Sequence, residues 1–153
     1  MHLHFSMADE QATLAYRIEL MQQVDLVQAL DSELLPGLAK ALVPKTFGPN
    51  ETIIEVGEPA DCMYFVDRGT ADVIKDGAVV WTYESRGFFG EKGLVDNAPR
   101  AATVVAGDRG VGLFRLRKDV FNAIKTRVSH ALEERQEMYE ETDFGGGGAA
   151  RRY

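Results

Sequence analysis

Cysteine occurs once in the 153 residues, at Cys62, so no internal disulfide can form and a reducing compartment, the cytoplasm, is the expected setting. Histidine is scarce too. His2 and His4 lie near the start and His130 falls in a helical pattern, and no glycine-elbow serine, His-Glu pair or Cys-His arrangement puts a nucleophile or metal ligand beside a base. No catalytic residue and no metal site is therefore expected. No apolar run approaches the length needed to cross a bilayer, and no basic segment followed by an apolar stretch opens the chain, so neither a membrane span nor a secretory leader is expected. Positive charge is in deficit: 17 Lys and Arg stand against 24 Asp and Glu, for a net charge of −7. That balance argues against nucleic acid as the main partner, because phosphate backbones are bound by clustered cations. An anionic ligand would have to be held locally.

What is present fits one globular unit, with 45% hydrophobic and 27% charged residues. Leu14, Ile18 and Met21 recur at helical spacing within 9–21. Leu34, Leu35, Leu38 and Leu42 form a second stripe, interrupted at its start by Pro36 and Gly37. From Val43 to Leu116 the pattern changes to short β-runs separated by turn signals, as in a barrel or sandwich. Strands are expected over 52–56, 63–66, 71–74, 79–83, 102–106 and 111–116, with a tight hairpin at Asp76-Gly77. Helical periodicity returns after Leu116, through Val120, Phe121, Ile124, Val128 and Leu132 to Met138 and Tyr139. The division expected is an N-terminal helical segment over 1–23, a main domain over 24–142 and a flexible glycine-rich tail over 143–153.

The most informative stretch is Phe88 to Ala106, FFGEKGLVDNAPRAATVVA. Gly90 and Gly93 flank Glu91 and Lys92, a spacing that lets the backbone approach a bound group closely and open a short helix. Pro99 disfavours helix in the residue before it, so the helix is expected to finish by Ala98 and Arg100 to start a strand. Arg100 thus puts a cation at the mouth of an apolar strand. Its planar fork of donors suits phosphate oxygens, with Ala101 and Ala102 small enough to let backbone amides assist. Glu91, an acceptor-only carboxylate, could take a sugar hydroxyl. Spacing alone leaves open an ordinary Glu91–Arg100 ion pair on a loop.

Gly90-Glu91, Leu94 and Pro99-Arg100-Ala101-Ala102-Thr103-Val104 resemble the phosphate-binding cassette of cyclic nucleotide-binding domains, and most of all those of the regulatory subunit of cAMP-dependent protein kinase. The resemblance extends from about Val24 to about Tyr139. It implies a mainly β fold, an antiparallel β-barrel or jelly roll of about eight strands, with N-terminal helices and a long C-terminal helix pair. By the same resemblance Arg100 and the amides of Ala101 and Gly93 would hold a cyclic phosphate, with Ala102 beside them. Glu91 and the Gly90 backbone would hold the ribose hydroxyl, Leu94 would transmit a shift to the last helices, and Tyr139 would cap the base. Val80 is a further candidate for the base pocket, with Trp81 and Tyr83 as alternatives.

The implied function is a cyclic nucleotide sensor that closes its C-terminal helices over the ligand and switches a partner or attached effector, such as a kinase catalytic subunit. It needs no cofactor. Two residues depart from the kinase-subunit pattern: Lys92, where an apolar residue is frequent, and Gly93, where alanine stands. Lys92 also resembles the domains of cGMP-dependent kinases. Ala101, however, lacks the hydroxyl that cGMP-selective domains commonly carry after the arginine, so cAMP is expected over cGMP. The alternatives are a cGMP-responsive kinase domain and an interaction module of the same fold that has lost its ligand.

Overall fold

The structure, a computed structural model, describes residues 7–28 and 32–125. Three helices lead into the sheet: α1 (Met7–Gln22), α2 (Asp25–Gln28) and, after a 3-10 turn at Ser32–Leu34, α3 (Leu35–Ala41). Pro36 sits in the first turn of α3, where the missing N–H has no intrahelical partner to lose. The buried residues Leu35, Leu38 and Leu42 carry the expected stripe through it. Arg17 of α1 donates to the carbonyls of Leu42 and Ala39, at 2.9 and 3.3 Å, and lies over the Phe114 ring. The two helices are thereby joined to each other and to the sheet.

The sheet contains β1 (Val43–Phe47), β2 (Thr52–Ile54), β3 (Cys62–Lys75), β4 (Ala78–Tyr83), β5 (Phe88–Phe89) and β6 (Thr103–Arg117), all paired antiparallel. Its path runs β1-β6-β3-β4, with β2 on β6 and β5 on β3. The mainly β architecture with flanking helices is as expected, but the described residues form six strands rather than about eight. The runs 63–66 and 71–74 belong to one strand, as do 102–106 and 111–116. Gly69 reads as a break, yet it is a bend: with φ +76, its α-carbon lies where an added Cβ would come within 2.3 Å of the Gly110 carbonyl. Two glycine backbones meet there, and the β3–β6 ladder continues through register shifts on either side. The expected hairpin at Asp76-Gly77 is present, both residues taking positive φ.

Two apolar clusters fill the molecule. One lies within the sheet and includes Val66, Val73, Phe89, Val104 and Leu113. The other joins helices to sheet: Leu20, Met21, Val24 and Leu38 pack with Phe65, Leu94, Phe114 and Phe121. Phe121 belongs to a helical stretch at 118–125. The expected long C-terminal helix pair otherwise lies outside the described residues. No helix among the described residues is long and apolar enough to cross a membrane.

Candidate functional site

The site is built where β5 ends. Phe88 and Phe89 pair with Phe65 and Tyr64 of β3, and the Phe89 ring stacks between Tyr64 and Tyr83. Gly90 then turns the chain at φ +88 into the short helix α4 (Glu91–Asp96). Only glycine takes that conformation readily, and it must also be small, since a Cβ there would lie 3.0 Å from Arg100 Nη1. The helix stops at Asn97, itself left-handed at φ 50, and the amide of Ala98 donates to the Gly93 carbonyl. The strand expected to begin at Arg100 begins instead at Thr103, because the Arg100 backbone is engaged elsewhere. Its amide donates to the Glu58 carbonyl at 2.8 Å, and its carbonyl accepts from the Gly57 amide at 2.9 Å.

The Arg100 side chain is buried and fixed as firmly as its backbone. Nη1 donates to the Gly90 carbonyl at 2.8 Å and Nη2 to the Cys62 carbonyl at 2.7 Å. The Cys62 sulfur lies 3.7 Å from Nη2, and the exposed Asp61 carboxylate 3.8 Å away supplies the opposite charge. A planar fork held at two of its nitrogens keeps other N–H donors in a set direction. Cys62 is buried at the start of β3, and burial pushes its thiol pKa up. Burial likewise raises the neighbouring Tyr64 phenol.

Beside the guanidinium is a cavity of about 240 Å³, lined by Lys92, Gly93, Ala98, Pro99, Arg100 and Ala101. Of the expected site residues Gly93, Arg100 and Ala101 line it, while Gly90, Glu91 and Leu94 lie on the adjoining turn and helix without lining it, Gly90 being tied to Arg100 through its carbonyl. Glu91 is fully buried at the start of α4, and Leu94 on the same helix points into the helix–sheet cluster. Ala102 is buried in the cluster within the sheet. Val80 stands apart on the edge strand β4, 39% exposed, with Trp81 half-buried and Tyr83 buried. Tyr139 lies outside the described residues. Sequence reasoning missed Asp61 and the carbonyls of Cys62 and Glu58; backbone acceptors carry no residue signature.

The family model described as the cyclic nucleotide-binding domain matches residues 44–127, which span β1 through the helix at 118–125. A cAMP-dependent protein kinase regulatory subunit from Yarrowia lipolytica is 37% identical over 111 residues, covering 72% of this chain and 28% of that protein. The chain spans about a quarter of the length of the curated relatives it matches. Among solved structures, the regulatory domain of Toxoplasma gondii PKA, co-crystallised with cAMP, superposes with a TM-score of 0.70 at 30% identity, over 90% of this chain and 51% of that one. A three-site mutant of the regulatory subunit of a cAMP-independent protein kinase A from Trypanosoma brucei, bound to cAMP in its A site, gives 0.75 at 27% identity, over 92% and 49%. The match of that family model from β1 through β6 identifies this chain as a member of the cyclic nucleotide-binding domain family.

Proposed function

We propose that the chain is a cAMP sensor domain that prefers cAMP to cGMP and acts as a switch rather than an enzyme. The observation that carries the reading is the buried Arg100 guanidinium, held by the carbonyls of Gly90 and Cys62 at the wall of a cavity. Nη2 is engaged by the Cys62 carbonyl and sulfur and by Asp61, and Nη1 by the Gly90 carbonyl, which leaves Nε and the second N–H of Nη1 available to phosphate oxygens, assisted by the amides of Gly93 and Ala101. Glu91 accepts the ribose hydroxyl. A cavity of about 240 Å³ is smaller than the roughly 300–1,000 Å³ of sites that enclose a whole small ligand. It therefore suits the sugar-phosphate end of a nucleotide, with the base lying outside against Val80 and beneath Tyr139.

The switch runs through Leu94. It shares a short helix with Glu91 and Gly93 and packs in the same cluster as Leu20, Met21 and Phe121. A ligand that draws α4 inward changes that packing, and it biases the equilibrium only by its difference in affinity for the two states. A coupling of about 1–3 kcal/mol is typical. The partner would be a kinase catalytic subunit in the cytoplasm, in keeping with the regulatory subunits the chain resembles.

A ligand-free module of the same fold is the second reading, favoured by the likeness to a subunit of a cAMP-independent kinase. The substitutions in its cAMP-bound mutant include threonine to arginine followed by valine to alanine, which creates an Arg-Ala pair. This chain too has an Arg-Ala pair, at Arg100-Ala101. Calorimetric titration with cAMP, cGMP and adenosine decides between the readings. The expected order is cAMP, then cGMP, then adenosine, with binding severely weakened in Arg100→Leu. Tighter cGMP binding would defeat the preference, and absence of binding to either cyclic nucleotide would favour the ligand-free module.

A further inference from the structure

Arg100 is not the only cation on the cavity wall. Lys92, the second residue of α4, lines the same space and is half-buried. An acidic residue four positions along a helix is the usual partner of a lysine, and Asp96 occupies that position. The pair does not form: among the described residues neither an ion pair nor a hydrogen bond engages the Lys92 ammonium. A cation bordering a cavity without a protein partner retains its full capacity for an anion inside it. In a chain of net charge −7, that placement concentrates positive charge at one point.

We infer that Lys92 is a second phosphate-recognising cation of this site, opposite in character to Arg100 and responsible for how strongly the site reads the charge of its ligand. The inference rests on the cyclic nucleotide reading above and adds a specificity-determining residue to it. Arg100 is fixed by two carbonyls and supplies direction. Lys92 is a point charge on a flexible four-carbon stem and supplies attraction with little geometric demand. A cyclic phosphate carries one negative charge, whereas a phosphate monoester carries about −1.5 to −2 at neutral pH. A second cation therefore favours the monoester more than the cyclic diester, and it narrows the margin by which shape alone would reject 5′-AMP.

The test compares the parent protein, Lys92→Leu, Lys92→Arg and Arg100→Leu in calorimetric titrations with cAMP, 5′-AMP and adenosine at low and at high salt. Lys92→Leu is expected to weaken cAMP about three- to tenfold at low salt, the range for one partly exposed charge-assisted contact. The loss should shrink at high salt, where the interaction is screened. It should be larger for 5′-AMP than for cAMP, absent for adenosine, and largely restored by Lys92→Arg. A Lys92→Leu protein that binds cAMP within about twofold of the parent at both salt concentrations would overturn the inference, as that is the span expected of a solvated surface charge. An equal loss for adenosine would also overturn it, by marking Lys92 as structural. A parent that binds cAMP, with binding lost in Arg100→Leu and intact in Lys92→Leu, confines the failure to Lys92. A parent that binds no cAMP removes the nucleotide reading and this inference together.

Discussion

The Arg100 guanidinium reaches 38 residues back along the chain to place Nη2 2.7 Å from the carbonyl of Cys62, while its Nη1 holds the carbonyl of Gly90 at 2.8 Å. The arginine is thus a structural strut between β3 and the start of α4 as well as the proposed phosphate donor. Arg100→Lys separates the two roles. A lysine keeps the charge but has no planar fork, so one of two buried carbonyls loses its donor at a cost of about 1–3 kcal/mol. Urea unfolding should show that loss without nucleotide. Added cAMP should raise the parent's midpoint through mass action and raise the variant's much less. An unfolding curve identical to the parent's would show that the strut contributes nothing.

Gly93 is explained by its neighbour rather than by its own backbone. An added Cβ would lie 2.5 Å from the Cβ of Ala60 and 3.1 Å from the Ala98 carbonyl. Alanine is the better helix former by about 1 kcal/mol, but overpacking costs about 1–3 kcal/mol, so the clash is expected to win. Gly93→Ala should therefore be destabilising, and Ala60→Gly in that background should recover part of the loss. A double-mutant cycle by chemical denaturation should give a coupling of about 1 kcal/mol in favour of the pair. Strict additivity would mean that α4 shifts freely and the two positions do not share space.

The cassette was legible because its chemistry lies in side chains and special backbone residues: Gly90 before Glu91, and Pro99-Arg100-Ala101 after the helix. The strand count was not. Gly69, Gly107 and Gly110 punctuate the sequence like turns, yet they mark places where two strands approach too closely for a Cβ. β1 was hidden by Pro44, which sits opposite Phe114 on an edge strand, where a missing N–H is tolerated. β5 is two residues long and leaves no periodicity to read. The contacts that fix Arg100 come from carbonyls 10 and 38 residues away, and a carbonyl looks the same at every position.

Cys62 makes a direct probe of this region, being the chain's one thiol and buried beside Arg100. Burial holds its pKa above the usual value, so the reactive thiolate is scarce as well as shielded. Alkylation at mildly alkaline pH should be slow in the folded protein and fast in denaturing guanidinium. Bound cAMP should slow it further by stabilising the folded state. Native-state labelling as fast as in denaturant would show that the start of β3 opens readily.

Alkaline stability follows from three groups shifted the same way. Burial raises Cys62 and Tyr64, and the hydrogen bond that Tyr16 of α1 donates to Asp67 of β3 raises Tyr16 above its usual value of 10.0. A raised pKa means that the folded state keeps its proton where the unfolded state has lost it, so stability falls as pH rises through that window. The protein should hold its stability up to about pH 9 and lose it progressively above, the thiol's window opening before those of the phenols. Tyr16→Phe removes one contributor. It should lower the stability at neutral pH slightly, by about 0.5–1.5 kcal/mol for one hydrogen bond, and make the alkaline decline shallower. Urea midpoints measured from pH 7 to pH 11 on both proteins test this. Parallel curves across the whole range would mean that the Tyr16–Asp67 bond does not hold α1 to the sheet in solution.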